Sequence, residues 1–309
     1  SDITQTIQIF NANTPSGQND FRINSVVPLE SLLINGTNSP IAEINVNALT
    51  ITNGLTIESG ATLNGEGITL TIGGNLNNDG VYDAQGNETV FNSIATQQIA
   101  GGGSNTFFRF TKSESGTLDL TNDIDVGGLF TISDGIIADN GSSISLASDA
   151  VIDGVHSSTG GNGLVFSGGS GQELRRSGAG TGSLGVVTIS NPNGVTIPDG
   201  NGYNFNINGG LRSVNGVFNV GGSEILFGLN AEIEEVNAFG VTNMIRTNSS
   251  FTDGGVGKVF AAGPRADFIF PIGQSFYTPV TFDFGTVGST SGTINILPAN
   301  EVHPTVNDG

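Results

Sequence analysis

The residues with the clearest chemical potential are acidic and amide side chains gathered in short stretches. Asn122, Asp123 and Asp125 put three oxygen donors almost side by side. Asp79 lies in the run Asn75-Leu76-Asn77-Asn78-Asp79-Gly80, where oxygen donors alternate and a turn glycine follows, as in a Ca²⁺-binding loop. Such a loop also needs a bidentate Glu at its closing position, and that position here is Gly86. The Ca²⁺-binding nonapeptide repeat needs GGxGxD, and the glycine runs at 160–163, 168–171 and 254–257 all lack the Asp. No cofactor is therefore expected, with Ca²⁺ at Asp79, Asn122, Asp123 and Asp125 as the exception left open. The alternative for all four is a set of solvated turn side chains.

Catalytic constellations are thinner. A polysaccharide lyase wants a Lys or Arg base beside cation-binding carboxylates, and a hydrolase wants clustered carboxylates. Of nine cations only Arg109 with Lys112, and Arg175 with Arg176, cluster, and neither pair has a close Asp neighbour. His156, in Asp153-Gly154-Val155-His156, is one acid/base candidate, set against the far commoner structural histidine. Gly180-Thr181-Gly182-Ser183-Leu184-Gly185 satisfies GxGxxG, but strand and turn residues follow it where a dinucleotide site needs a helix. Gly254-Gly255-Val256-Gly257-Lys258 lacks the Ser/Thr and the spacing of a phosphate loop. Sugar sites favour aromatic faces, and the chain has no Trp and only Tyr82, Tyr203 and Tyr277. An ice-binding face needs a regular Thr array, and the TxT of Thr50-Ile51-Thr52 and Thr69-Leu70-Thr71 gives too few rows. No catalytic residue and no enzymatic activity are expected.

The elements that must carry these residues are short strands. Amphipathic helical spacing is absent except over residues 229–236, too few to stand as a helix. Alternating stretches recur instead, at Leu49–Ile57, 68–72, 118–120, 129–132, 144–146, 195–197 and 205–207, each followed within two residues by Gly, Asn, Asp or Ser. The 309 residues include 48 Gly and no Cys, and only 12% are charged, so disulfides and thiolate chemistry are excluded. A net charge of −19 rules out the basic footprint of a nucleic-acid binder and argues against anionic lipid. No run of apolar residues is long enough for a membrane-spanning helix, so membrane insertion is not expected. The composition reads as that of an exported, mature or excised chain.

Internal repetition separates the all-β architectures. Residues 88–99 align with 163–174 at a constant offset, Leu118 and Leu120 match Val195 and Ile197, and Gly127-Gly128-Leu129 matches Gly209-Gly210-Leu211. Strands that keep their spacing while connections vary in length are the mark of an irregular solenoid. The fold expected is a right-handed parallel β-helix over residues 1–245, on the order of ten coils stacked about 4.8 Å apart. Inward columns of Ile, Val, Leu and Phe would alternate with Asn- and Gly-rich corners. From Met244 onward Phe and Pro become dense, so residues 246–309 are expected to form a small C-terminal β cap or sandwich-like unit running into a linker.

A solenoid exposes unpaired strands at its ends, which proteins commonly block with Lys, Pro or a cap. Only Lys112 and Lys258 are present, and the first segment, Ile3, Thr4, Gln5, Thr6, Ile7, Gln8, Ile9 and Phe10, is uncharged and strongly β-prone. It is expected to pair by strand addition with a copy of the chain or an adjacent module.

Residues 165–197, VFSGGSGQELRRSGAGTGSLGVVTISNPNGVTI, with the strands at 205–211 and 217–220, resemble the repeat of large surface proteins that Bacteroidota export by the type IX route. FIFPIGQSFYTPVTFDF at 268–284 is similar to the F-P-x-G-x-x-x-x-Y-x-P-V motif that commonly follows the β-helix in those proteins. Residues 107–120 depart from the pattern in lacking the N-G-V-T turn, and no C-terminal sorting domain is visible, so a processed subunit or fragment is expected. The resemblance implies an extracellular structural, adhesive or gliding-motility module on the cell surface, with cell-surface glycans among its partners. It transfers no catalytic residue. The competing expectation is a β-helical protein that binds or degrades polysaccharide.

Overall fold

The computed structural model describes residues 5–11, 13–17, 19–285 and 290–299. Every regular element among them is a β-strand, and the parallel strands stack as a β-solenoid of about 11 turns. The all-β solenoid expected from the alternating pattern is thus the fold. Two compact units meet in the sequence between Gly163 and Leu164.

In the first unit three stacks of parallel strands run side by side. One contains Thr6–Ile9, Leu29–Ile34, the second half of Leu49–Ile57, Asn75–Asn78, Gln97–Ala100, Thr117–Leu120, Ile136–Ala138 and Val155–Ser157. Another runs from Asp20–Ile23 through Ile41–Ile44, Thr62–Asn64, Val81–Asp83, Ser104–Phe107 and Ile124–Val126 to Ser143–Leu146. The third begins in the first half of Leu49–Ile57 and passes through Leu70–Ile72, Glu88–Asn92, Arg109–Ser113 and Phe130–Ile132 to Ala150–Ile152. Because side chains alternate along a strand, in-register stacking turns every second residue into a column facing the core. Leu32, Leu55, Leu76, Ile99 and Leu120 form one such column, and Phe91 stacks on Phe110 and Phe110 on Phe130, with ring centroids 5.3 and 5.5 Å apart.

Corners join the stacks, and their glycines are there for space. At the triple-glycine corner a Cβ on Gly101 or Gly103 would lie 2.2 Å from a carbonyl oxygen of the turn below, that of Asn78 or of Gly80. Gly102, between them, faces open space, and its N–H donates to Asp79 Oδ1 at 2.9 Å. Two glycines of this corner are therefore fixed by the stacking distance and one is free.

The second unit continues the parallel style with longer, bulged strands. Tyr203–Asn215 lies on Gly180–Ser190 with register shifts after Leu184 and Ile189. Val195–Thr196, Phe218–Gly221, Ile245–Thr247 and Ile272–Gly273 make a narrower parallel stack, so parallel pairing runs past residue 245. Antiparallel pairing enters with Gly255–Phe260 against Gly292–Ile296 and Arg265–Phe270 against Val280–Phe284. The dense phenylalanines supply this C-terminal β unit with its core: Phe260, Phe268, Phe270, Phe282 and Phe284 meet at centroid distances of 4.9–5.8 Å.

Candidate functional site

The strands Thr6–Ile9 and Asp20–Ile23 begin two of the stacks. Each is paired on one side only among the described residues, Thr6–Ile9 with Leu29–Ile34 and Asp20–Ile23 with Ile41–Ile44. In a parallel strand, N–H and C=O of one residue point to the same side and those of the next residue to the other. The Gln5 and Ile9 carbonyls accept from Ser31 and Asn35 N–H at 3.2 and 3.0 Å, so the backbone groups of Thr6 and Gln8 face the open edge. In the same way the Asn19 and Ile23 carbonyls accept from Ile41 and Asn45 N–H, at 2.6 and 2.8 Å, and turn Asp20 and Arg22 outward.

Apolar side chains surround this edge. Ile7 is 45% exposed, Phe21 46%, Val26 83% and Val27 63%. The Phe10 ring meets Phe21 edge-on at 6.2 Å, and a shallow groove runs between Phe10, Thr14, Gly17, Asn19, Asp20 and Phe21. Four large apolar groups beside unpaired strand edges form a patch of the kind that marks interaction sites. Of the self-association residues expected from sequence, Gln5 to Phe10 lie at this edge, with Gln5 N–H bonded to Glu30 Oε2 at 2.5 Å. Ile3 and Thr4 fall outside the described residues.

Neither lysine lies at this open edge. Lys112 belongs to the inward column of Ile51, Ile72, Phe91, Ile132 and Ile152, and it is fully buried. Its ammonium donates to the carbonyls of Ser113 and Glu114 at the next corner, where Glu114 holds a positive φ of 64°. Lys258 donates to the carbonyls of Gly228, Leu229 and Val259, each at 2.8 Å, and lies over the rings of Phe260 and Phe268. Burial lowers the pKa of both lysines, and neighbouring carboxylates counter it, those of Asp134 and Glu114 for Lys112 and that of Glu232 for Lys258.

Three of the four calcium candidates, Asp79, Asn122 and Asp123, lie at corners and already have protein partners. Asp79 accepts from Gly102 N–H at 2.9 Å and Asp123 from Ser143 N–H at 2.7 Å, while the Asn122 amide donates to the Gly101 carbonyl. Asp125 points outward in a row with Arg22, Glu43, Asn64, Asp83, Thr106 and Ser145. Among the described residues no group of three or more acidic, His or Cys side chains is arranged to hold a metal ion.

His156 is buried. Its Nε2 lies 3.1 Å from Asp139 Oδ2, which also accepts from the Ser158 hydroxyl, while Asp139 Oδ1 accepts from Gly141 N–H at 2.9 Å. Ser, His and Asp are thus gathered in the wrong order for a nucleophilic relay, because the serine proton points to the carboxylate and not to the imidazole. Asp139 directly follows the strand Ile136–Ala138 and is buried, and His156 continues the column of Gln97, Leu118 and Ile137. Burial pushes the Asp139 carboxyl up, but the hydrogen bonds from His156, Ser158 and Gly141 together outweigh it and hold its pKa below the ordinary value of 3.8. Sequence reading found His156 and missed Asp139 and Ser158.

One outward row departs from the expectation of too few threonines. Thr50, Thr71, Val90, Thr111, Thr131 and Val151 stack in register, four of them threonine. Glu88 and Arg109 stand beside the row, and Glu88 takes the Thr111 hydroxyl at 2.7 Å, so the surface is neither flat nor uniformly hydrated. At one edge of this face a groove is lined by Thr50, Thr52, Asn92, Ile94 and Glu114.

No protein-family model matches this chain, and no curated protein and no solved structure shows significant similarity to it.

Proposed function

We propose that the chain is an extracellular structural or adhesive surface module that joins a second copy of itself, or an adjacent module, by adding a strand to the open edge of its first turn. The observation that carries this reading is the coincidence at one end of two one-sided strands with the exposed Ile7, Phe21, Val26 and Val27. Main-chain pairing would supply register, and burial of these side chains at about 25 cal/mol per Å² would supply most of the affinity. The resemblance to exported Bacteroidota surface proteins supports a location outside the cell, and no turnover is invoked. Sedimentation of the full chain across a wide concentration range tests the joining. Association is expected, and Gln8→Pro is expected to weaken it, since that N–H faces the open edge and serves no bond within the first turn. A monomer at all concentrations, or association untouched by Gln8→Pro and by Ile7→Lys together, overturns the reading. Antibody labelling of intact against lysed cells tests the location.

A second reading, glycan binding, draws support from the groove at Thr50, Thr52, Asn92 and Glu114, where hydroxyl, amide and carboxylate groups stand beside Ile94, which is 78% exposed. Affinity electrophoresis in gels of neutral and acidic polysaccharides tests it. Retardation lost in Asn92→Ala is expected, and unretarded migration in every gel refutes it.

A further inference from the structure

We propose that Asn201 is a site of spontaneous covalent modification, converting through a succinimide to aspartate and isoaspartate while the other Asn-Gly pairs of the folded chain are protected. The chemistry needs an asparagine followed by a residue whose amide nitrogen is free to swing onto the side-chain carbonyl carbon. Glycine offers the least steric hindrance. Nine Asn-Gly pairs occur in the sequence, so composition alone does not single one out.

The structure does. At Asn35, Asn64, Asn140 and Asn193 the glycine N–H that would have to attack is already donated, to Glu58 Oε2, the Asp83 carbonyl, Asp139 Oδ1 and the Asn191 carbonyl. Gly54 lies within Leu49–Ile57, between neighbours on both sides, and the buried Gly163 opens the strand Gly163–Phe166. Gly209 and Gly216 are clamped by backbone: an added Cβ would lie 2.5 Å from Gly185 C and 1.8 Å from the Asn191 carbonyl oxygen. Each of these eight peptide units is held by a donated N–H, a place in a strand or a close backbone approach.

Asn201-Gly202 differs at each point. It sits in the corner Pro198-Asp199-Gly200-Asn201-Gly202, where the last three residues are exposed. Gly200 and Gly202 both hold positive φ, 78° and 65°; a Cβ on Gly200 would meet nothing, and one on Gly202 would meet only the Ala179 side chain, at 3.3 Å, and no backbone. The Gly202 carbonyl accepts from Gly180 N–H at 3.1 Å, but its own N–H donates to no group among the described residues. The Asn201 amide makes one bond, to the Asp199 carbonyl at 3.2 Å.

In the reaction the Gly202 nitrogen attacks Asn201 Cγ. An N–Cγ bond forms, the Cγ–Nδ2 bond breaks, and the proton shed by the attacking nitrogen leaves with the amide as ammonia. Water then opens the five-membered imide at one carbonyl or the other, giving aspartate or isoaspartate with no oxidant or reductant involved. The new carboxylate lies two residues from Asp199, whose oxygens take Gly222 N–H at 2.8 Å and the Asn248 amide at 3.1 Å.

The test incubates the intact chain at mildly alkaline pH, once folded and once in denaturant, and follows all nine pairs by peptide mapping with fragmentation that separates aspartate from isoaspartate. In the folded chain Asn201 is expected to convert at least about tenfold faster than any other pair, a barrier difference of roughly 1.4 kcal/mol. In denaturant the nine rates should converge. A second pair reacting as fast as Asn201 in the folded chain overturns the proposal, as does an Asn201 rate that folding suppresses. Isomerisation of Asp199-Gly200 is distinguished because it brings no change of mass.

Discussion

Asp139→Ala tests whether the buried Asp139, His156 and Ser158 cluster stabilises the first unit as its geometry implies. The substitution removes the acceptor for the buried His156 imidazole and for the half-buried Ser158 hydroxyl. A third donor, Gly141 N–H, belongs to an exposed corner residue and can turn to water. A buried donor left without an acceptor costs about 1–3 kcal/mol and a half-buried hydroxyl can turn to water, so the loss should be about 1–3 kcal/mol, read as a fall in the urea midpoint at constant slope. The effect also has a pH signature. The Asp139 pKa lies below its ordinary value in the folded chain, so its carboxylate contributes stability that is fully present above the unfolded value and is lost as pH falls through the folded one. The gap between wild type and Asp139→Ala should therefore be constant from neutral pH down to about 5 and close progressively below about 4. Acidic residues elsewhere act on both proteins alike and cancel in the difference. A loss smaller than about 1 kcal/mol, or a gap that does not close in acid, refutes the assignment.

Three further outcomes follow from contacts described above. Lys258→Met keeps the stem but strands the carbonyls of Gly228, Leu229 and Val259, and it should cost about 1–3 kcal/mol in chemical denaturation. Gly103→Ala should lower the melting temperature sharply, because its Cβ would stand 2.2 Å from the Gly80 carbonyl, while Gly102→Ala should change stability by no more than about 0.5 kcal/mol. EGTA should leave the melting temperature unchanged, since Asp79 and Asp123 already accept backbone N–H groups and Asn122 is engaged with Gly101. A fall on chelation would show that these corners carry Ca²⁺.

The strands were legible in the sequence wherever alternation was clean, as in Leu49–Ile57 and Thr117–Leu120, because inward and outward residues differ in type there. Lys112 carried a readable signal: it stands two residues after Phe110 in Arg109–Ser113, and in a strand that spacing puts both on one face. The prior that lysine faces water obscured it. Asp139 carried none, since Ala138-Asp139-Asn140-Gly141 reads as a turn, where an acidic side chain is expected to face water. The row of Thr111, Thr131 and Val151 escaped for a related reason. Its members are each 20 residues apart, and a pattern search within single strands finds only TxT.

These polar inward positions also bear on why the stack has one register. Columns such as Leu55, Leu76, Ile99 and Leu120 are nearly interchangeable from turn to turn, so aliphatic packing alone discriminates weakly against a slip by a whole turn. Buried polar groups are not interchangeable. The Asn78 amide finds Asn105 Oδ1 at 3.1 Å and the Ser104 carbonyl at 2.7 Å only when those two strands follow each other as they do. Tyr82, its hydroxyl pKa pushed up to about 12 by burial, meets Asn87 and Thr89 of its own turn and ties one stack to the next. Lys112 needs the corner at Ser113 and Glu114, and Asp139 needs His156 one turn on. A slip would take from Asn78 and Asp139 these partners in the next turn, at about 1–3 kcal/mol apiece, whereas the aliphatic columns, and Tyr82 and Lys112 bonded within their own turns, would lose little. Specification of the register therefore rests on the few polar residues inside the solenoid, and its cohesion on the many apolar ones.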